Sequence, residues 1–330
     1  MALLKFNKKE LVNLSYSTRR EIILANRTGA YCNTSISLCN TRKYHGLLAV
    51  PIDCFGENKY ILLSSLDESL VIGGRQFNLG IHCYGDVYEP RGHKYIIDFN
   101  ADVTPEITYK VGDVVFRKRL LMAPDAEELL IEYELVSAPE GSNVSLILKP
   151  FLSFRKIHEL THENSEARTG YRDVNGGVAY NLYNGFPDLF LQINRKADYR
   201  HLPDWYRGIT YSDEYRRGFD CREDLLVPGN FVIKLSVGKG LIVSASTKEI
   251  DPKSLTKKCK IYYEHRSTVT DYESMLKMNA ENLKYVRGGR HKITAGFSWL
   301  YAGLLRETIA ALPGLTLYAN GSTKDFELIL

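Results

Sequence analysis

The sequence predicts a mainly β protein, a large antiparallel β-sandwich followed by α-helices. Three observations carry this. From about residue 20 to 250 apolar residues recur at every second position, the period of a strand with one buried face. Glycine-centred breaks separate the runs, as hairpin turns require. After residue 266 the period lengthens to that of a helix.

Taken in order, the strand runs are 59–66, 69–80, 106–122, 127–136 and 143–154, followed by 177–185, 188–195, 230–238 and 240–246. Gly73-Gly74 and Gly112-Asp113 fall between alternating segments and predict tight hairpins. "RKRLLM" (117–122) alternates cations with apolar residues and reads as a strand edge. The helical period first appears over 268–286, where Tyr272, Met275, Leu276, Asn279, Leu283 and Val286 share a face. A Leu-rich segment, 295–317, predicts a second helix stopped by Pro313-Gly314, and Ser322 or Thr323 caps a third. These shifts divide the chain into a β domain, 1–265, and a helical portion, 266–330. A chain that stops on an amphipathic helix just after changing architecture is expected to be truncated.

Composition narrows the function. The 330 residues carry 25% charged side chains but a net charge of only +4. No Lys/Arg block stands out as a phosphate-backbone footprint, so no nucleic-acid partner is expected. No apolar window is long enough for a signal peptide or a membrane span, so neither export nor a membrane partner is expected. The six cysteines lack any C-x-x-C spacing, which predicts reduced thiols in a cytoplasmic protein and no structural metal. Phosphate loops, G-x-G-x-x-G, H-E-x-x-H and G-x-S-x-G are all missing, and no cofactor is expected.

Four polar, aromatic-rich stretches remain. "NTRKYH" (40–45) sets Asn40, Arg42, Tyr44 and His45 directly before the apolar run "LLAVP" (47–51). A core strand would anchor that hexapeptide rigidly, so its ordering entropy is already spent in folding. "FRKIHELTHEN" (154–164) contains His158 and His162, four residues apart. That is a metal spacing only on a helix, and a polar loop suits the position better. The third stretch, 202–231, interleaves Trp205, Tyr206, Tyr211 and Tyr215 with Arg217, Asp220, Arg222, Glu223 and Asp224. Flat rings among charges of both signs suit a sugar, whose apolar faces stack while its hydroxyls hydrogen-bond. A salt-bridged loop accounts for them equally well. In the fourth, Arg306 and Glu307 stand together in an otherwise apolar helix, so they satisfy each other or face a polar cavity. The first three stretches are expected to converge on one face of the sandwich where it meets the helical portion. There Arg42 pairs with Asp220, Glu223 or Asp224, or reaches a sugar.

In this order "NTRKYHGLL", "PFLSFRKIHELTHEN", "DWYRGITYSDEYRRGFDCREDLLVPGNF" and "AGFSWLYAGLLRETIAALPGLTL" resemble the bacterial and archaeal type of glycogen debranching enzyme, over essentially the whole chain. The resemblance implies an N-terminal super-sandwich followed by an (α/α)6 barrel with amylo-α-1,6-glucosidase activity. That barrel hydrolyses the α-1,6-linked glucosyl stub of an α-glucan, glycogen or maltodextrin, by inversion between two carboxyl groups. It also places Arg306 and Glu307 at the barrel mouth, holding terminal-glucose hydroxyls, with Trp299 a neighbouring aromatic of the same mouth. The acid and base, about 6.5–9.5 Å apart in an inverting enzyme, are then expected beyond Leu330, with no catalytic residue inside this chain and no activity from it alone. Two departures bear on strength: Glu307 stands where the family has Asp, and Leu304-Leu305 where it has Trp-Gly. The extra methylene moves a carboxylate by roughly 1.5 Å, and such misplacement costs about 100-fold in rate. An alternative is a non-catalytic α-glucan-binding protein derived from such an enzyme. A weaker one is another sandwich-plus-barrel sugar enzyme, a glucoamylase or disaccharide phosphorylase.

Overall fold

Two large antiparallel sheets face each other in the computed structural model of the chain, which describes residues 4–56, 58–267, 269–296 and 305–330. The first sheet runs Lys5–Asn7, Ile96–Asn100, Glu106–Val111, Val114–Met122, Glu128–Ser137, Leu241–Ser246, Leu189–Ile193, Gly177–Tyr180 and Arg172–Val174. The second runs Asp198–Thr210, Arg222–Lys234, Val144–Lys156, Lys59–Ile72, Gly46–Pro51, Tyr31–Ser35 and Glu21–Ala25, with Arg75–Asn78 paired beside Lys59–Ile72. Both predicted hairpins form. Gly73 and Gly74 take φ of +55° and +81° between Ile72 and Arg75, and Gly112 takes +58° between Val111 and Val114.

Alternation decides what each face buries. Leu66, Leu70 and Leu146 of the second sheet meet Phe116, Leu129 and Ile131 of the first in one continuous core. Each such side chain contributes about 1.5–3 kcal/mol by leaving water. The outer face of the second sheet carries two separate apolar clusters, around Tyr31, Tyr44 and Ile61 and around Phe151, Ile209 and Leu225. The outer face of the first is covered by helix Leu255–Arg266, through Leu255 and Cys259. The two-residue reading missed that helix, because its mixed Lys, Tyr and Cys sequence carries almost no apolar stripe.

The cations of 117–122 lie on a central strand instead of an edge, paired on both sides. Arg117 and Arg119 point outward to Glu106, Glu132 and Glu134. Lys118 points inward, where its Nζ donates to Glu68 of the facing sheet at 2.6 Å. Tyr133 Oη donates to the same Glu68 oxygen at 2.5 Å, and all three side chains are buried. Alternation assigns Lys118 to the core face, and only a facing carboxylate makes that tolerable.

The C-terminal elements also depart from expectation. The helix expected over 268–286 spans Tyr272–Asn282, and Lys284–Arg287 turns back as a hairpin with Arg290–Ile293. Gly288-Gly289 drive that turn, both at positive φ. The helix Leu305–Pro313 is not stopped at Pro313-Gly314, because it continues as a π-turn, Gly314–Tyr318. Ser322 caps the last helix, Thr323–Ile329, as predicted.

Candidate functional site

The polar hexapeptide begins at a saturated anchor. Asn40 is buried, accepting from Thr34 Oγ1 (2.8 Å) and donating to the Ser64 carbonyl (3.1 Å), so it ties two strands to the loop. The chain re-enters the sheet at Gly46, where a Cβ would stand 2.6 Å from Ile61 Cγ2. Strand Gly46–Pro51 beyond it is buried throughout. The loop is therefore held at both ends.

Between those ends every side chain is engaged. Thr41 N–H donates to His45 Nδ1 (3.1 Å), so a neutral His45 carries its proton on Nε2. That nitrogen faces Glu21 Oε1 at 3.7 Å, and the ring is fully buried. Thr41 is also bonded twice to Asp213, its hydroxyl donating to Oδ2 (3.0 Å) and its carbonyl accepting the Asp213 N–H (2.9 Å). This pins the short helix Ser212–Arg216 to the hexapeptide. Arg42 Nε donates to Glu21 at 2.7 Å, with Asp213 3.5 Å from its other end. Tyr44 accepts from Tyr31 Oη through its carbonyl and sets its ring edge-on to His158.

The second and third polar stretches close on the same outer face. A β-bulge in strand Val144–Lys156, with Phe154 at a φ of +49°, shifts the register between Leu152 and Arg155. Bulges re-aim side chains: Phe154 enters the core while Arg155 turns outward to Glu223 and to the Lys43 carbonyl (2.8 Å). Glu223 is fully buried and also accepts from Tyr211 Oη and Thr161 N–H. Asp224 accepts from Glu163 N–H (3.0 Å) and Gly208 N–H (2.8 Å), with His162 Nδ1 3.8 Å away. Residues 40–45, 155–164 and 208–224 thus form one interlocked polar surface.

Its electrostatics follow from burial and pairing. Burial works against the Glu21 charge, but His45 and Arg42 outweigh it and lower the carboxyl to about 2. Burial pushes His45 below the usual histidine range, with Glu21 pulling the other way. The rim is aromatic and cationic. Lys43 Nζ lies 5.7 Å from the rings of both Tyr44 and Phe219, and the Arg217 guanidinium 4.9 Å from Phe219. Tyr215, Phe219 and His162 are exposed.

Comparison with protein families identifies the chain. Residues 20–242 match the family described as glycogen debranching enzyme N terminal. The chain belongs to that family. Among solved structures, a bacterial glucoamylase complexed with acarbose matches with a TM-score of 0.39 at 7% identity, over 86% of this chain. The chain spans 41% of the length of that glucoamylase. A search of curated protein sequences returns no match.

Within this debranching-enzyme N-terminal domain the sequence-predicted residues separate into groups. Arg42, Tyr44, His45, Glu223 and Asp224 meet on one face, whereas Asn40 lines a small cavity with Thr34, Leu66, Glu68 and Lys118. Arg42 pairs with Glu21 and Asp213 instead of Asp220, Glu223 or Asp224. Glu223 is taken by Arg155, and Asp220 and Arg222 are exposed with no side-chain bond among the described residues. Trp205 points into the main core, while Tyr206, on the opposite strand face, packs on Phe151 and accepts from Lys149. His158 and His162 lie in a turn and an extended segment and share no helical face. Arg306 is 90% exposed in the first helical turn and pairs with its neighbour Glu307 (2.6 Å), so this pair is not buried in an apolar helix. Trp299 lies outside the described residues. Sequence reasoning missed Glu21, Arg155 and Asp213. The one signal that could have found any of them is the first charge to follow an apolar run, as Arg155 follows "PFLSF".

The C-terminal hairpin attaches elsewhere. Arg287 reaches Asp53 (2.5 Å), the Pro51 carbonyl (2.9 Å) and Glu127 (3.2 Å), and Lys59 Nζ meets Thr294 Oγ1. These contacts gather at the Pro51 end of strand Gly46–Pro51, whereas His45 precedes its other end.

Proposed function

We propose that this chain is the N-terminal domain of an α-glucan debranching hydrolase. The complete protein removes α-1,6-linked glucosyl stubs from glycogen or maltodextrin, with acid and base supplied by a helical barrel outside residues 1–330. The family match over residues 20–242 carries this reading. We further propose that the surface built by residues 40–45, 155–164 and 208–224 meets the glucan or the barrel. Its buried ion pairs fix the backbone, and its exposed Tyr215, Phe219 and Arg217, with the half-buried Lys43 beside them, suit sugar faces and hydroxyls. Arg306, Glu307 and Trp299 are assigned to the barrel mouth. The six free cysteines suit a cytoplasmic site of action, and α-glucan is the partner.

The test is glucose release from a limit dextrin whose branches are trimmed to single α-1,6-linked glucosyl residues. The complete protein should release glucose, and residues 1–330 alone should not. Release by this chain alone sinks the division of labour. A complete protein that binds maltoheptaose but leaves the stubs intact is instead a glucan-binding protein. Phe219→Ala should weaken maltoheptaose binding if the surface touches sugar. If the surface holds the barrel, the same variant should leave that binding unchanged and lower the melting temperature of the complete protein but not that of residues 1–330.

A further inference from the structure

The hairpin Lys284–Arg287/Arg290–Ile293 carries a second feature, whose charges stand apart from the debranching reading although the choice of glucan as a probe rests on it. Cross-strand partners share a face of a two-stranded ribbon, and alternate residues share it too. Tyr285 pairs with Lys292 and Arg287 with Arg290, so all four side chains project to one side. That side closes a cleft of about 360 Å³ against Asp53, Gly56 and Lys59, at the small end of the ~300–1,000 Å³ typical of ligand pockets. Like charges set directly opposite each other, as Arg287 and Arg290 are, destabilise a hairpin. Two carboxylates, Asp53 and Glu127, hold Arg287. Arg290 has no acidic partner among the described residues and is exposed at the cleft. Lys59 is buried between the rings of Tyr31 and Tyr285, 5.5 and 5.6 Å from its Nζ. Burial, reinforced by Arg287, lowers its ammonium to about 8. Arg287, Arg290, Lys59 and Lys292 thus border one concave site, beside the Asp53 carboxylate that holds Arg287 and the edge of the buried Tyr285 ring, and Gly56 and Gly288 leave it open.

We propose that this cleft binds a phosphate monoester, its dianion held by Arg290 and Lys292 beside Lys59 and its organic body lying over the open backbone at Gly56 and Gly288. Guanidinium forks match phosphate oxygens in pairs, and Arg290, unlike Arg287, has no carboxylate among the described residues. The cleft is larger than a bare ion needs, which favours an ester with a sugar-sized body. That body is either a free sugar phosphate or a phosphorylated residue of a glucan chain.

Titration calorimetry on the 330-residue chain at low ionic strength tests this with inorganic phosphate, glucose 6-phosphate, phosphorylated maltodextrin and unmodified glucose. Both esters should bind more tightly than inorganic phosphate, glucose should not bind, and added salt should weaken the interaction. Tighter binding of glucose 6-phosphate identifies the free sugar phosphate as the source, and tighter binding of the maltodextrin identifies the glucan. Arg290→Gln and Lys292→Gln, both placed off the apolar core, should each lower ester affinity at least about tenfold, as loss of a charge-assisted hydrogen bond does. Their melting temperatures should stay near that of the parent. No ester binding, equal binding of glucose, or unchanged affinity in both folded variants overturns the proposal.

Discussion

Arg155 and Glu223, on neighbouring strands of the second sheet, form a two-pronged ion pair with almost no solvent exposure. Arg155 also donates to the Lys43 carbonyl, and Glu223 accepts from Tyr211 and Thr161. One charge pair therefore joins the three polar segments of the candidate surface.

Breaking it from one side should be costly. Glu223→Gln or Arg155→Met leaves a buried charge uncompensated, and each should lose about 3–5 kcal/mol. Urea denaturation measures this. The double variant Arg155→Met/Glu223→Leu should recover part of the loss, and a strictly additive double loss would mean the two side chains act independently.

The core pair behaves by the same logic in a drier place. Burial pushes the Glu68 carboxyl above its usual range, with Lys118 and Tyr133 pulling it back. Tyr133→Phe removes one of two donors to a buried carboxylate and should cost about 1.5–3 kcal/mol. Lys118→Met should cost more, and its deficit should shrink as the pH falls and Glu68 takes up a proton. Unfolding curves of both variants across acid and neutral pH provide the check.

The Glu21 carboxyl is shifted in the opposite direction, downward. Its folded value is about 2 against an unfolded value of 4.5, so the unfolded state binds more protons between them. Its contribution is fully present above about pH 4.5 and is lost as pH falls toward 2. Glu21→Gln should therefore cost about 1.5–3 kcal/mol at neutral pH, as expected for a hydrogen bond to a charged group. The gap from the parent protein should close on acidification, and a gap that stays constant would place the loss in packing.

Gly46→Ala tests the re-entry of the loop into the sheet. The added methyl meets Ile61 Cγ2 at 2.6 Å and the Leu63 carbonyl at 3.3 Å, and overpacking of this kind costs about 1–3 kcal/mol. The melting temperature should fall, and glucan or barrel binding should weaken with it if residues 40–45 form part of that surface.

Much of the fold was legible locally. Alternation over Lys59–Ile72 or Val114–Met122 needs only the neighbouring residues to declare a strand, and paired glycines declare their own turns. The grouping of residues 40–45 with 161–164 and 216–224 was also legible, since polar aromatic stretches between core strands gather at loops. Partners were not. Arg42 reaches Glu21 and Asp213, and Thr41 finds Asp213 at a separation of 172 residues. Those pairings depend on strand register, and Arg155 owes its aim to a single extra residue at Phe154. Lys118 likewise needed the opposite sheet to supply Glu68. The sequence by itself determined which faces are apolar, because side-chain direction has a short fixed period. Only the tertiary structure decided which charges meet, because a register shift of one residue turns a side chain to the other face.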